Sequence, residues 1–242
     1  MSLKGTTNKT MPESIHDRSE VLEILRSVSF LKHATDDEIN YLSLNSELQS
    51  FSRFEIVYHR GDPSLCLYYV LKGIVKVSTH SYLAKEVIRS IVHSNMIFGE
   101  GSATGERERS AVAQILDKNT EIITLNARSL QRVMNQNGKV AADFLQIIGS
   151  KLRATQSRLE SVIVEDARTR VINFLKENAK SYGNKVGFNE LLLKHSFTQQ
   201  DIADFTGTSR QTVTTVLNDL KRSNVISLDR KRILIRDFAQ LD

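Results

Sequence analysis

Cysteine is nearly absent from this 242-residue chain. Its single cysteine, Cys66, excludes an internal disulfide and any zinc or iron–sulfur site that needs several cysteine ligands. The six histidines are scattered, and none pairs with another at the i, i+4 spacing of a helical metal site. We therefore expect no metal site.

Long hydrophobic runs are also missing. No apolar stretch approaches the roughly 20 residues that a membrane-spanning helix needs. Residues 1–18 are polar and lack the apolar core of a signal peptide, so we expect a flexible N-terminus there. These observations predict a cytoplasmic protein that has no membrane partner.

Positive charge is concentrated towards the C-terminus. Residues 1–165 hold 20 Lys and Arg against 19 Asp and Glu, whereas residues 166–242 hold 13 against 9. Most of the excess lies in residues 209–236, where seven bases face two acids. A local basic excess favours a polyanionic partner such as DNA, although a solvated basic surface would explain the charge taken alone.

Hydrophobic periodicity divides the chain into a strand-rich part and helices. Helical spacing is found in residues 21–30, and a second short helix is predicted to start at Thr35. From Leu48 onward, short β-type runs alternate with turn sequences, which predicts strands at 56–58, 67–71, 74–78, 86–91, 110–115 and 121–125. Because no helix separates these strands, they indicate an antiparallel sandwich or barrel.

A long uninterrupted helix is predicted to follow. Residues 140–164 contain no proline, and their apolar positions repeat at spacings of three and four. Such a heptad pattern is typical of a helix paired with its own copy, although a helix packed only on its own barrel remains an alternative. We call the repeating positions the hydrophobic seam: Leu145, Ile148, Leu152, Thr155, Leu159 and Val162. Thr155 either bonds back to its own helix or faces a ligand.

After a predicted break at residues 164–166, the C-terminal region predicts a DNA-reading unit. Thr198 and Asp201 have the spacing of a capping box, Gly207 suits a tight turn, and Ser209 can cap a second helix. Two strand-like runs, 225–228 and 233–235, then flank a basic turn. This arrangement is typical of a winged helix-turn-helix. A purely structural helical hairpin would not explain the polar face of the second helix: Arg210, Gln211, Thr212 and Thr215.

One glycine-rich segment could suggest an enzyme. Residues 98–105 read G-x-G-x-x-x-G, but a dinucleotide-binding fingerprint requires a following helix, and a strand is predicted instead. The chain shows no paired carboxylates, nucleophile–base motif or metal cluster. We therefore expect a protein that is not an enzyme.

Several motifs together resemble the CRP/FNR (catabolite activator protein) family, over about residues 21–235. They are Arg60-Gly61-Asp62, residues 67–73, Phe98-Gly99-Glu100, Arg109-Ser110-Ala111 and the helix pair 198–217. The resemblance implies an α+β fold with a cyclic-nucleotide-binding-type β-roll (jelly-roll), a long dimerisation helix and a winged helix-turn-helix. The implied divisions are 1–18, 19–137, 138–165 and 166–242.

The resemblance also implies an effector site. In family members that bind cyclic AMP, the matching positions are Gly99 (backbone), Glu100 (ribose hydroxyl), and Arg109 and Ser110 (phosphate), with Thr155 and Gln156 facing the base. Cyclic AMP or a related nucleotide is thus a possible effector. Alternatives are a ligand-independent regulator whose β-roll is a scaffold, and a sensor of another signal such as a haem-bound gas. In a structural role, Arg109 would pair with Glu100.

For DNA, the resemblance implies that Arg210 reads guanine, through a bidentate contact to O6 and N7. Gln211 and Thr215 replace a glutamate and a second arginine of the family, so the half-site is expected to differ. Backbone-phosphate contacts are implied for Thr198, Gln200, Ser209 and Thr212, and a wing base such as Arg232 is expected to meet phosphate. The implied partners are double-stranded DNA, a second copy of the chain and RNA polymerase.

Overall fold

The computed structural model describes residues 18–81 and 85–241. Residues 1–17, predicted as flexible, and 82–84, in a predicted turn, lie outside this range. The α-helices of the described part are α1 (Arg18–Ser27), α2 (Asp36–Ser43), α3 (Ala127–Gln136), α4 (Gly138–Val164), α5 (Ala167–Tyr182), α6 (Gln199–Thr206) and α7 (Arg210–Arg222).

The N-terminal region is a β-roll of two four-stranded antiparallel sheets, ordered β1-β8-β3-β6 and β2-β7-β4-β5. Apolar side chains from both sheets, among them Val70, Val77 and Ile122, fill the space between them. Gly73 lies at the β3–β4 turn with φ of 103°, and a Cβ there would lie 2.2 Å from Thr120 Oγ1. The strands are β1 (Ser46–Phe51), β2 (Ile56–Tyr58), β3 (Cys66–Lys72), β4 (Val75–His80), β5 (Glu86–Val92), β6 (Ile97–Phe98), β7 (Val112–Ile115) and β8 (Thr120–Asn126).

Helices cover the outer face of the first sheet. Apolar residues of α1, α2, α3 and the start of α4 pack with β3 and β8 in one cluster. The predicted helix start at Thr35 is confirmed, because its hydroxyl accepts from the Glu38 amide and the Glu38 carboxylate accepts from the Thr35 amide. The separate helix α3 was not distinguished by sequence periodicity.

Helix α4 spans 27 residues and contacts the β-roll again further along, through Lys151 and Arg158. Its first turns are buried, through Val140 and Phe144. Further along, Leu145, Leu152 and Leu159 are 66%, 58% and 61% exposed. One face of the predicted seam is therefore largely exposed in the described part of the chain.

The C-terminal region packs α5, α6 and α7 around a buried core and beside an antiparallel sheet ordered β11-β12-β10-β9. The predicted wing is present as β11 (Ile226–Asp229) and β12 (Arg232–Ile235). Strands β9 (Asn184–Lys185) and β10 (Leu191–Lys194) were not predicted. A short leucine run such as 191–193 fits a buried strand or a helix equally well, so the sequence alone does not assign it.

Candidate functional site

A cavity of about 1030 Å³ lies between the β-roll, helix α4 and the C-terminal region. Its wall includes aromatic and charged side chains from all three parts. Five of the six predicted effector residues line it: Gly99, Glu100, Arg109, Ser110 and Thr155. The sixth, Gln156, is exposed on α4 and is not among the lining residues.

Arg109 lies at the base of this cavity and is only 3% exposed. Its Nη1 donates to the Gly99 carbonyl at 3.0 Å, and its Nη2 donates to the Cys66 carbonyl. The guanidinium carbon lies 4.4 Å from the centre of the Tyr58 ring. Two of the arginine's nitrogens are therefore engaged by the chain's own carbonyl groups, and its Nε has no hydrogen-bond partner.

Glu106 lies beside Ser110 and was not among the predicted effector residues. Its Oε1 accepts hydrogen bonds from the Ser110 amide at 3.1 Å and the Ser110 hydroxyl at 2.7 Å, and its Oε2 accepts from the Ser64 hydroxyl at 3.1 Å. Arg109 Nη1 lies 3.9 Å from Oε2. Partial burial raises the pKa of Glu106, but these hydrogen bonds and the arginine charge outweigh it and hold the pKa below its usual value.

An ion pair in the wall of the cavity joins helix α4 to the β-roll. Lys151 Nζ lies 2.8 Å from Glu100 Oε1 and also donates to the Ile97 carbonyl at 2.7 Å. The suggested Arg109–Glu100 pair is wrong, because Glu100 pairs with Lys151 and Arg109 with Glu106. Thr155 donates to the Lys151 carbonyl at 2.8 Å, which is the bond back to its own helix.

The helix-turn-helix forms as its capping residues predict. The Asp201 carboxylate accepts from the Thr198 amide, and the Asp201 amide donates to the Thr198 hydroxyl. Gly207 ends α6 with φ of 66°, a conformation that favours glycine. Ser209 caps α7 by accepting from the Thr212 amide at 3.0 Å. The turn is therefore specified by local chemistry.

Helix α7 is buried on one side and exposed on the other. Val213, Val216, Leu217 and Leu220 pack into the C-terminal core. The opposite face carries side chains that can donate or accept hydrogen bonds. Of the predicted DNA-contacting residues, Thr212 is half-buried and the others are exposed. The exposed residues are Thr198, Gln200, Ser209, Arg210, Gln211, Thr215 and Arg232.

Charged and polar contacts, absent from the sequence-based predictions, hold this unit against the β-roll. Lys76 of β4 lies 3.1 Å from Asp201 Oδ1 of α6 and 3.0 Å from Glu86 Oε1 of β5. Arg158 of α4 donates to the Ile88 carbonyl of β5 and to the Phe205 carbonyl of α6. The helix-turn-helix is therefore joined to both the β-roll and α4.

A histidine also lies at this junction. His93 is buried and stacks on Tyr182 of α5 with a ring separation of 3.5 Å. Burial lowers the pKa of His93 to about 4, although a hydrogen bond with Asn178 opposes the shift. The imidazole is therefore neutral at physiological pH.

Comparison with known proteins assigns both halves of the chain. The family described as "Cyclic nucleotide-binding domain" matches residues 48–137. The family described as "Crp-like helix-turn-helix domain" matches residues 169–242. The chain belongs to the CRP/FNR family of transcription regulators. Its two matched regions correspond to the β-roll and to the DNA-binding helix-turn-helix, which confirms the predicted fold class and family.

Curated relatives of this CRP/FNR regulator are transcriptional regulators. A global nitrogen regulator from Synechocystis sp. is 26% identical over 204 residues, which are 82% of this chain and 90% of that protein. A CRP-like cAMP-activated global transcriptional regulator from Mycobacterium tuberculosis is 26% identical over 219 residues, covering 90% of this chain and 97% of that protein.

Solved structures share the fold. FixK2 from Bradyrhizobium japonicum has a TM-score of 0.73 at 19% identity, covering 81% of this chain and 95% of that chain. A CooA mutant from Carboxydothermus hydrogenoformans has a TM-score of 0.70 at 24% identity, covering 91% and 93%. Within residues 18–81 and 85–241, no helix of the CRP/FNR regulator is long and apolar enough to cross a membrane, and no group of three or more His, Cys, Asp or Glu could hold a metal ion.

Proposed function

We propose that this regulator acts as a homodimer that binds a two-fold symmetric DNA operator, under the control of a small effector bound in the cavity beside α4. The observation that carries the proposal is the combination of an exposed polar recognition face on α7 with exposed leucines along the α4 seam, Leu145, Leu152 and Leu159. A symmetric pair of seams would place two recognition helices on one side of a dimer.

The dimer is supported by the chemistry of α4. Leucines at heptad spacing that are about 60% exposed lose solvent contact only when another helix packs on them. The described part of the chain supplies no such helix. A second copy supplies an identical seam, in which each leucine is buried once per subunit.

The division of roles on DNA follows from side-chain chemistry. Arg210, exposed in the first turn of α7, suits guanine through O6 and N7, and Gln211 suits adenine. Thr198, Ser209 and Arg232 suit phosphate, and such contacts position the protein without reading sequence.

The effector role is supported by where the cavity lies. Its wall includes Ser110 of the β-roll, Thr155 of α4 and Phe205 of α6. A molecule bound there can favour one arrangement of these parts over another only by contacting them differently in each. Gly99, Glu100 and Arg109 remain the proposed effector-facing residues of the β-roll.

Selection from a random DNA library tests the proposal. We expect enrichment of a palindrome whose half-site centres lie about 10 base pairs, or a multiple of that, apart. Sedimentation of the protein with the enriched DNA should show two chains per site. Enrichment of a single unpaired half-site bound by one chain would overturn the proposal.

A further inference from the structure

The position that would receive an anionic ligand at the β-roll is filled by the chain itself. The Glu106 carboxylate accepts three hydrogen bonds, two from Ser110 and one from Ser64, and lies beside the buried Arg109 guanidinium. A backbone amide, two hydroxyls and a guanidinium are the donors that bind a phosphate oxygen. Glu106 therefore satisfies the donors that a cyclic phosphate would need.

We propose that Glu106 is a specificity-determining residue that closes the anion site of the β-roll to cyclic phosphodiesters. This inference rests on the proposed function, in that the cavity beside α4 is taken as the effector site. The chain thus carries a cyclic-nucleotide-binding fold whose donors do not fit a free cyclic nucleotide, because an internal carboxylate holds them.

The loop around Glu106 is built to keep the carboxylate in place. The Glu106 amide donates to the Gly101 carbonyl at 2.8 Å, and the Arg109 amide donates to the Asp62 carbonyl at 2.8 Å. Gly101 also leaves the space that the carboxylate occupies, since a Cβ there would lie 2.4 Å from Glu106 Oε2. The backbone on both sides of the site thus positions this one side chain.

Electrostatics opposes exchange of the carboxylate for a ligand. Hydrogen bonds and Arg109 hold the pKa of Glu106 below its usual value despite its partial burial, so the group is ionised at neutral pH. A phosphodiester entering beside it would meet a like charge. If Glu106 moved out instead, the carboxylate would lose all three hydrogen bonds.

Removing the carboxylate should expose a complete anion site. The Ser110 amide and hydroxyl and the Ser64 hydroxyl would lose their acceptor and become available. Arg89 adds a second cation, because its Nη1 already lies 2.9 Å from Ser110 Oγ. The change removes one negative charge and leaves both arginines in place.

Calorimetric titration of the full-length protein with cyclic AMP, and separately with inorganic phosphate, tests this inference. Glu106→Ala should bind cyclic AMP at least ~100-fold more tightly than the wild type. Glu106→Gln keeps the side-chain volume but loses the charge, so its affinity for cyclic AMP should lie between those of the wild type and Glu106→Ala. The matched control is Glu108→Ala, an exposed carboxylate two residues away, which should behave as the wild type.

Two results would overturn the inference: wild-type binding of cyclic AMP within about tenfold of Glu106→Ala, or no gain in a folded Glu106 variant. Should Glu106→Ala fail to fold, Glu106→Gln and the wild-type titration still decide the question. Operator binding is measured on the same preparations. A wild-type protein that does not bind the operator would count against the proposed function, whereas the titrations test the role of Glu106 separately.

Discussion

The contact between the β-roll and the helix-turn-helix includes a buried lysine, Lys76, and replacing it tests how firmly the two are docked. Lys76 and Asp201 side chains are each only 9% exposed, and Glu86 is the second carboxylate on the ammonium group. Burial lowers the pKa of Lys76, but the two carboxylates outweigh it and raise the pKa above its usual value. The lysine is therefore charged and paired.

Lys76→Met keeps the apolar stem and removes the charge. With the two regions still docked, a buried carboxylate left without its partner costs about 3–5 kcal/mol. Undocking returns Asp201 to water, so the loss is limited by the free energy of docking. We expect the variant to populate an undocked form, cleaved faster by protease at residues 164–167, where α4 ends and α5 begins.

A double-mutant cycle with Asp201→Asn measures the pair itself. Urea unfolding followed by circular dichroism suits a chain without tryptophan. We expect a coupling free energy above ~1 kcal/mol between positions 76 and 201. The control is Lys72→Met, since Lys72 is 63% exposed, lies 3.8 Å from Glu121 and should change stability by less than about 1 kcal/mol. Additive effects at 76 and 201 would refute the argument.

Three further predictions concern the dimer, the DNA contacts and the histidine. Leu145→Glu combined with Leu159→Glu should weaken dimerisation by on the order of 4 kcal/mol, because each leucine is buried in both subunits; sedimentation of an unchanged dimer would contradict this. Arg210→Ala should cost roughly 1–3 kcal/mol of specific DNA binding and relax selection at one base pair, as measured by competition gel shifts. Arg232→Ala should weaken binding to all DNA sequences alike and reduce the salt dependence of the affinity. An equal loss of sequence specificity in both variants would argue against these roles. His93 has a folded pKa of about 4, below its ordinary value, so the unfolded chain binds the proton first and stability falls as pH drops from about 6.5 to 4. His93→Phe should remove a pH-dependent loss of at most about 3 kcal/mol, and unfolding curves with the same pH slope in both proteins would disprove this.

Sequence patterns predicted the parts of the molecule that local chemistry specifies. Thr198, Gly207 and Ser209 act within a few residues of their own position, so their spacing is enough to predict α6, the turn and α7. The seam on α4 is likewise a local repeat, and the exposure of Leu152 agrees with it. Such patterns do not show which helices and strands pack against each other in the folded chain.

The missed features are contacts over long sequence separations. Lys76 and Asp201 are 125 residues apart, and each looks like an ordinary solvated charge in its own segment. Glu106 lies only four residues from Ser110, but Ser64 is 42 residues away. The fold of the loop, which brings all three together, decides that the carboxylate faces inward. Five of the six effector residues that the resemblance implies line one cavity, while the contacts of Glu106 with Ser110 and Ser64 follow from tertiary structure.

The anion site and the helix-turn-helix are connected by a short series of direct contacts. Glu106 accepts from Ser110, Arg89 donates to Ser110, and Arg158 donates to the Arg89 carbonyl. The same Arg158 side chain contacts the Phe205 carbonyl and lies 4.0 Å from the centre of the Phe205 ring.

Contact alone does not establish coupling, which requires two arrangements that the two sites bias differently. Arg158 bridges β5 and α6, so an undocked α6 would leave its guanidinium without the Phe205 carbonyl. With Glu106 in place, the Ser110 hydroxyl at the β-roll end of these contacts already donates to an internal carboxylate. We therefore expect an effector of this regulator to act on docking through the α4 and α6 walls of the cavity rather than by supplying a phosphate to Ser110.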